Sequence, residues 1–322
     1  MQNILFFAPY FEEKIWGGKK LKEMGFSISS DHVGEAWCVS AVSRKASVIK
    51  NGDFSGKTLQ ELFRSNRTLF YADNAGVATE DFPLLVKIID ANQDLSVQVH
   101  PNDCYAQEHG LGAFGKTECW YVLQAPPKAR LVYGVHAQNR KDLENKVHQG
   151  KWQDLLQKKE IKTGDFVFVP AGKVHALTAG VVVLEIQQSS DTTFRLYDYN
   201  RRDEKGNLRD LHINQALDVI TLHEDEDTIP VEDKVVGGCS IRTYKMDAPF
   251  GVTRIQGRKV KEMAFSKLAR YQLFTVVEGS GSVALSSKKY SFQRGDSFML
   301  TADVEAYTLS GDFLLFRSEE AN

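Results

Sequence analysis

The sequence has no apolar run long enough to cross a bilayer as a helix. Its one apolar stretch near the N-terminus, within MQNILFFAPYFEEKIWGGKK, is too short for the core of a secretory signal. It also lacks basic residues ahead of it and meets charge at Glu12 and Glu13. Cysteine is scarce and scattered: Cys38, Cys104, Cys119 and Cys239 form neither CxxC nor CxC. That spacing argues against a disulfide framework and a thiolate zinc knuckle, and for free thiols in a reducing cytoplasm. A block of charge of one sign is also missing. With 40 basic and 42 acidic residues interspersed, no surface suits a nucleic-acid backbone or an anionic membrane, so a small ligand is the expected partner.

What the sequence has in quantity is short β-patterned runs. FPLLVKIIDA (82–91), ECWYVLQA (118–125), ARLVYGV (129–135), DFVFVPA (165–171) and GVVVLEIQQ (180–188) are separated by Gly, Pro, Asn and Asp, as in an antiparallel sandwich or barrel. Helical patterns are few, at 56–70, 140–157 and 211–221. The acidic stretch LHEDEDTIPVEDK (222–234) reads as a linker, which divides the 322 residues into a domain of 1–234 and a second of 235–322. An internal echo supports the division: GDFVFVPAGKVHALT (164–178) resembles GDSFMLTADVEAYTLS (295–310), and ECWYVLQA lies on QLFTVVEG (272–279). The first copy carries Glu118 and His175 where the second carries Gln272 and Glu305, and the second has no histidine. Two related, mainly β barrels with a few peripheral helices are expected, and only the first is equipped for chemistry.

DLSVQVHPND (94–103) puts Gln98 and His100 on one face of a strand, because residues two apart share a side. The pair is either an exposed polar patch or half of a ligand set. With Glu118 and His175 it offers two imidazoles, a carboxylate and an amide oxygen. This set suits a divalent metal of borderline hardness, zinc first, with a position left for water or substrate.

DLSVQVHPND, GKTECWYVL, GDFVFVPAGKVHAL and LEIQQSSDTTFRLYDYNR, in that order, resemble the successive signatures of type I mannose-6-phosphate isomerases in their short bacterial form, and IWGG (15–18) and GEAWCVS (34–40) fit the same family. The resemblance implies two cupin-like β-barrels (jelly-roll) and interconversion of mannose 6-phosphate with fructose 6-phosphate by proton transfer through an enediolate. The metal ligands it implies are Gln98, His100, Glu118 and His175, holding one Zn2+ per chain in the first barrel and none in the second. Its catalytic arginine falls on Arg195, its lysine on Lys116 and its aspartate on Asp191. Gly115 stands where longer members carry a histidine, so no proton-transfer role carries over to that position. Lys116, Asp191 and metal-bound water remain three alternatives for moving the proton. Arg201, Arg202 and Lys173 are candidate phosphate partners, and His32, His109, His136, His148, His212 and His223 are expected at surfaces or helix ends. Two other classes keep the same pocket: an iron-dependent cupin oxygenase and a sugar-phosphate sensor without turnover.

Overall fold

The computed structural model describes residues 3–72, 80–202, 205–222, 228–266, 270–286 and 288–321. Its centre is a six-stranded sheet in the order Phe166–Val169, Glu118–Gln124, Val181–Gln188, Leu84–Ala91, Val33–Val39, Tyr10–Gly18. The strands Leu84–Ala91 and Val181–Gln188 are buried along their whole length, because both faces of this sheet are covered. Strands covered on both sides read as nearly continuous apolar runs, which is how LLVKIIDA and VVVLEIQQ look in the sequence.

One face of this sheet packs on a five-stranded sheet, in the order Phe194–Tyr197, Val97–Val99, His175–Ala176, Arg130–Val135, Leu156–Glu160. Trp120, Val122 and Val183 meet Leu131 and Tyr133 between the two. The other face sends Ala36, Ile88, Cys119 and Leu184 into a core shared with Leu5, Leu273, Met299 and Phe316 of a nine-stranded sheet. That third sheet encloses a core of its own around Phe274, Val276, Phe298, Leu300 and Leu315. The architecture is mainly β, with short helices at the periphery, as expected. Relative to a division after residue 234, the N-terminal strand Ile4–Ala8 joins the second unit, pairing antiparallel with Ser297–Leu300. Val231–Val236, within the acidic stretch read as a linker, forms the edge strand of the same sheet; residues 223–227, with His223, lie outside the described residues.

The internal echo is reproduced in strand register. Glu118 pairs with Val169 and Trp120 with Val167, while Gln272 pairs with Leu300 and Phe274 with Phe298. The Gly-Asp turns match as well: Asp165 Oδ2 accepts the Lys162 N–H at 2.8 Å and Asp296 Oδ2 accepts the Gln293 N–H at 2.9 Å. Gly164 and Gly295 take φ of 92° and 89°, a left-handed conformation that favours glycine.

The helical readings held at 56–70, where a capping box of Thr58 and Glu61 starts Leu59–Ser65, and at 211–221, where the helix is Ile213–Val219. The 140–157 pattern is shorter than expected. Arg140–His148 stops before Gly150, Trp152–Leu155 forms one further turn, and Leu156 already begins a strand. Asp103–Glu108 is a helix the pattern did not suggest; Asn102 caps it by accepting the Tyr105 N–H at 2.9 Å, just after Pro101 ends the strand-like run.

Beyond the strand Phe194–Tyr197, buried Asp198 receives Arg201 and Arg209, which pins the 201–209 loop beside that strand. Burial pushes the Asp198 carboxyl up, but the two guanidiniums outweigh it and hold it below its usual value. A carboxyl lowered in the folded state contributes stability that is complete above its unfolded pKa of about 3.9 and is lost as pH falls through the folded value. Asp198→Asn should therefore lower stability at neutral pH and flatten the decline towards about pH 3, measured by urea melts across pH. Curves for mutant and wild type that run parallel would remove this linkage. Leu5→Ala, in the N-terminal strand, should cost about 2–5 kcal/mol by leaving a cavity between the central and nine-stranded sheets. An unchanged urea midpoint would make that strand dispensable.

Candidate metal centre and substrate cavity

Sheet register assembles the site. Across the five-stranded sheet Arg195 is opposite Gln98, Gln98 opposite His175, and His175 opposite Tyr133, so four side chains stand in one row on one face. His100 follows two residues after Gln98, and Glu118 is presented by the facing six-stranded sheet. His100, Glu118 and His175 are all buried, and their donor atoms lie within 4.8 Å of one another.

Each imidazole is oriented by the main chain. Nδ1 of His100 lies 2.9 Å from the Thr192 carbonyl and Nδ1 of His175 lies 2.8 Å from that of Lys173. A carbonyl only accepts, so Nδ1 carries the proton in both rings and the Nε2 lone pairs turn inward. Nε2 of His100 is 3.6 Å from Glu118 Oε2 and Nε2 of His175 is 3.4 Å from Oε1. Burial, joined by the nearby Lys116 charge, holds His100 well below its usual pKa. Burial takes His175 down to about 4 against the Lys173 carbonyl, so both rings stay neutral. Burial and then Glu185 raise the Glu118 carboxyl to about 7, against Lys116 and Lys87.

These residues fit a divalent cation. Both Glu118 oxygens are buried, and Oε1 has no hydrogen-bond partner among the described residues. The charge they meet instead is Lys116, whose Nζ sits 2.6 Å from Oε2 and 3.0 Å from His100 Nε2. A buried carboxylate with open lone pairs beside two inward imidazole nitrogens is a cation's donor set. Gln98 Nε2 lies 3.4 Å from His175 Nε2, and a half-turn of its amide presents Oε1 to the same point.

Gln98, Lys116, Asp191 and Arg195 line one cavity of about 140 Å³. Arg195 is held by Ser96 Oγ at 3.3 Å from Nε and by the Asp210 carbonyl at 2.8 Å from Nη1, with no carboxylate on its guanidinium among the described hydrogen bonds. Asp191 is half-exposed at the rim, 3.5 Å from Lys45 Nζ. The phosphate candidates lie elsewhere: Arg201 is engaged by Asp198, Arg202 donates to the Gly206 carbonyl, and Lys173 packs over the Tyr133 ring. Lys14, Lys45 and Arg209 line the cavity in their place.

Sequence reasoning also missed a buried pair behind the His100–Glu118–His175 cluster. Lys87 Nζ is 3.3 Å from Glu185 Oε1, Glu185 accepts the Trp120 indole N–H at 2.9 Å, and Lys87 lies over the Trp37 ring. The signal was present, since each is a charge in the middle of an otherwise apolar strand. Trp16, Trp37 and Trp120 form walls of the cavity, and Trp152 stacks on Tyr197. His32, His109, His136 and His148 are exposed, and His212 precedes the helix Ile213–Val219 while accepting the Arg195 N–H.

Known proteins are similar to this chain in sequence and fold. Residues 4–151 match the family described as phosphomannose isomerase type I, catalytic domain, and residues 241–320 match the mannose-6-phosphate isomerase cupin domain. A probable mannose-6-phosphate isomerase of Bacillus subtilis is 41% identical over 97% of each chain. The crystal structure of the mannose 6-phosphate isomerase from Bacillus subtilis superposes with a TM-score of 0.93 at 37% identity, covering 99% of this chain and 100% of that one. A zinc-bound mannose 6-phosphate isomerase shares the fold, with a TM-score of 0.81 at 15% identity over 100% of both chains. With its matches spanning nearly the full length and its two units both of cupin type, the chain belongs to the type I mannose-6-phosphate isomerase family.

Proposed function

We propose that this enzyme interconverts mannose 6-phosphate and fructose 6-phosphate in the cavity between the five- and six-stranded sheets, with His100, Glu118, His175 and Gln98 as ligands of one zinc ion. The observation that carries the reading is the buried His100–Glu118–His175 cluster, whose direct neighbours Gln98 and Lys116 line the cavity together with Arg195. Zinc follows from a nitrogen and oxygen donor set of two neutral imidazoles and one carboxylate, and when bound it would polarise sugar oxygens as a Lewis acid. An iron-dependent oxygenase has the same donors available, but the family to which the chain belongs favours the isomerase.

Moving a proton between adjacent sugar carbons requires a group that takes it, a group that returns it and positive charge beside the developing oxyanion. Arg195 supplies that charge. Its guanidinium is anchored by Ser96 and the Asp210 carbonyl rather than neutralised by a carboxylate, so its field is directed into the cavity. Lys116 and Asp191 are the protein's proton carriers in this reading. Lys116 is the better placed, beside the ligands and away from solvent, whereas Asp191 sits at the rim. Lys14 and Lys45, which line the cavity, provide positive charge for the phosphate group. The free thiols of Cys38, Cys104, Cys119 and Cys239 suit a cytoplasmic location.

His175→Ala should lose most bound metal and most turnover, with a far-ultraviolet spectrum and urea midpoint close to wild type, because the ring's removal leaves the two-sheet core intact. Metal content by elemental analysis checks this, and full metal retention would remove His175 from the ligand set. In a coupled assay for fructose 6-phosphate, Arg195→Ala should lower kcat by about 100-fold or more with a much smaller rise in KM, the pattern of a contact made in the transition state. A change confined to KM would reassign Arg195 to phosphate binding, and wild-type protein inactive in the assay with zinc supplied would overturn the isomerase reading.

A further inference from the structure

Arg195 belongs to Phe194–Tyr197, an edge strand of the five-stranded sheet whose inner neighbour is Val97–Val99. On the outer side its main chain is met by His212. The Arg195 N–H donates to Nδ1 of His212 at 3.1 Å, and the Arg195 carbonyl accepts the His212 N–H at 2.8 Å. One residue thus offers this edge both an acceptor and a donor, as a further strand would. Asp210, two residues earlier, accepts Nη1 of the Arg195 guanidinium on its carbonyl at 2.8 Å. We propose that His212 is a positioning residue for the isomerase reaction: its imidazole, by accepting the Arg195 N–H, fixes the strand and the Asp210 carbonyl that aim the guanidinium into the cavity.

The ring has no other task in the helix it precedes. His212 stands at the N-cap of Ile213–Val219, where a side chain commonly accepts an N–H of the first turn, yet its imidazole makes no capping bond. That helix is held by other means. Ala216, Leu217 and Ile220 pack in one core with Val97, Phe194 and Leu196, and the Ala216 N–H donates to the His212 carbonyl at 2.8 Å, a bond that any residue at 212 supplies.

A main-chain N–H only donates, so Nδ1 of His212 is the unprotonated nitrogen. Burial and then the Arg195 charge hold His212 below its usual pKa, against Asp210, which keeps the ring an acceptor at neutral pH. The guanidinium is clasped between the Asp210 carbonyl and Ser96 Oγ, 3.3 Å from Nε. Loosening the 210–212 segment therefore releases one of its two anchors, and a small misplacement of a group that acts on the transition state is enough to slow the chemical step.

The proposal rests on the isomerase reading of Arg195, and its test includes a readout that needs no turnover. In the coupled assay His212→Ala should lower kcat about tenfold, the scale of one hydrogen bond, with KM changed by less than about twofold and bound metal unchanged. His212→Asn, whose Oδ1 stands close to the place of Nδ1 and also accepts, should recover most of that loss. With Arg195→Ala already present, His212→Ala should lower kcat no further, because a residue acting through the guanidinium has nothing left to place. Exchange of the Arg195 amide proton with heavy water, followed by NMR, should be about tenfold faster in His212→Ala than in wild type and near the wild-type rate in His212→Asn. Unchanged Arg195 exchange in His212→Ala would overturn the proposal. Additive losses in the double variant, a fall in kcat that His212→Asn does not recover, or an effect confined to KM would overturn it equally. Wild-type protein inactive with zinc supplied would remove the isomerase reading and with it the link to catalysis, while the exchange rates would still decide whether His212 holds Arg195.

Discussion

Everything in this protein leans on one constraint: the six-stranded sheet is covered on both faces. One face is paired with the sheet that carries Gln98, His175 and Arg195, the other with the second unit, so the central strands have no solvent side on which to place a charge. Glu118, Lys87 and Glu185 are nevertheless there, all on the face towards the cavity. An isolated buried charge is expensive enough that it persists only with partners. Lys87 answers Glu185, two indole N–H groups answer Glu35 and Glu185, and Lys116 answers Glu118. Polar chemistry is thereby concentrated on one side of a sheet whose other side is plain hydrocarbon.

That asymmetry explains which parts were legible in sequence. The strands were readable because their apolar runs are bounded by turn residues, and the placing of Gln98 beside His100 was readable because the two keep the two-residue period. What joins them was not. The row Arg195–Gln98–His175–Tyr133 brings together residues up to 97 positions apart through register, which no local pattern records. The surroundings of the phosphate candidates were hidden for a related reason. Arg201 and Arg202 are near Arg195 in sequence, yet Asp198 and a carbonyl take them up, while Lys14 and Lys45 arrive from a distant segment. The helix pattern over 140–157 was overread because its apolar spacing continues past Gly150, and pairing of Leu156–Glu160 with Arg130–Val135 claims the tail as strand.

The repeated Gly-Asp turn shows how one design serves two ends. In both units the glycine takes the left-handed conformation and donates its N–H to a strand carbonyl, Val122 in the first and Val276 in the second, each at 2.9 Å. The turn sets which residue of the neighbouring strand faces inward at its start, Glu118 in one and Gln272 in the other. A carboxylate-to-amide difference at this position, with the histidines confined to residues before 235, separates the first unit's charged donor set from the uncharged amide of the second.

The pairing of Ile4–Ala8 with Ser297–Leu300 bears on how the chain is made. Ile4–Ala8 has to wait for Ser297–Leu300, almost three hundred residues further along the chain. At a synthesis rate of about 5–20 residues per second that delay is tens of seconds, during which Leu5 and Phe7 have no permanent cover. The catalytic half can collapse around its own two sheets in that interval, but the hydrocarbon side of its central sheet stays open until the C-terminal strands arrive. Pairing of Ile4–Ala8 with Ser297–Leu300 closes that window.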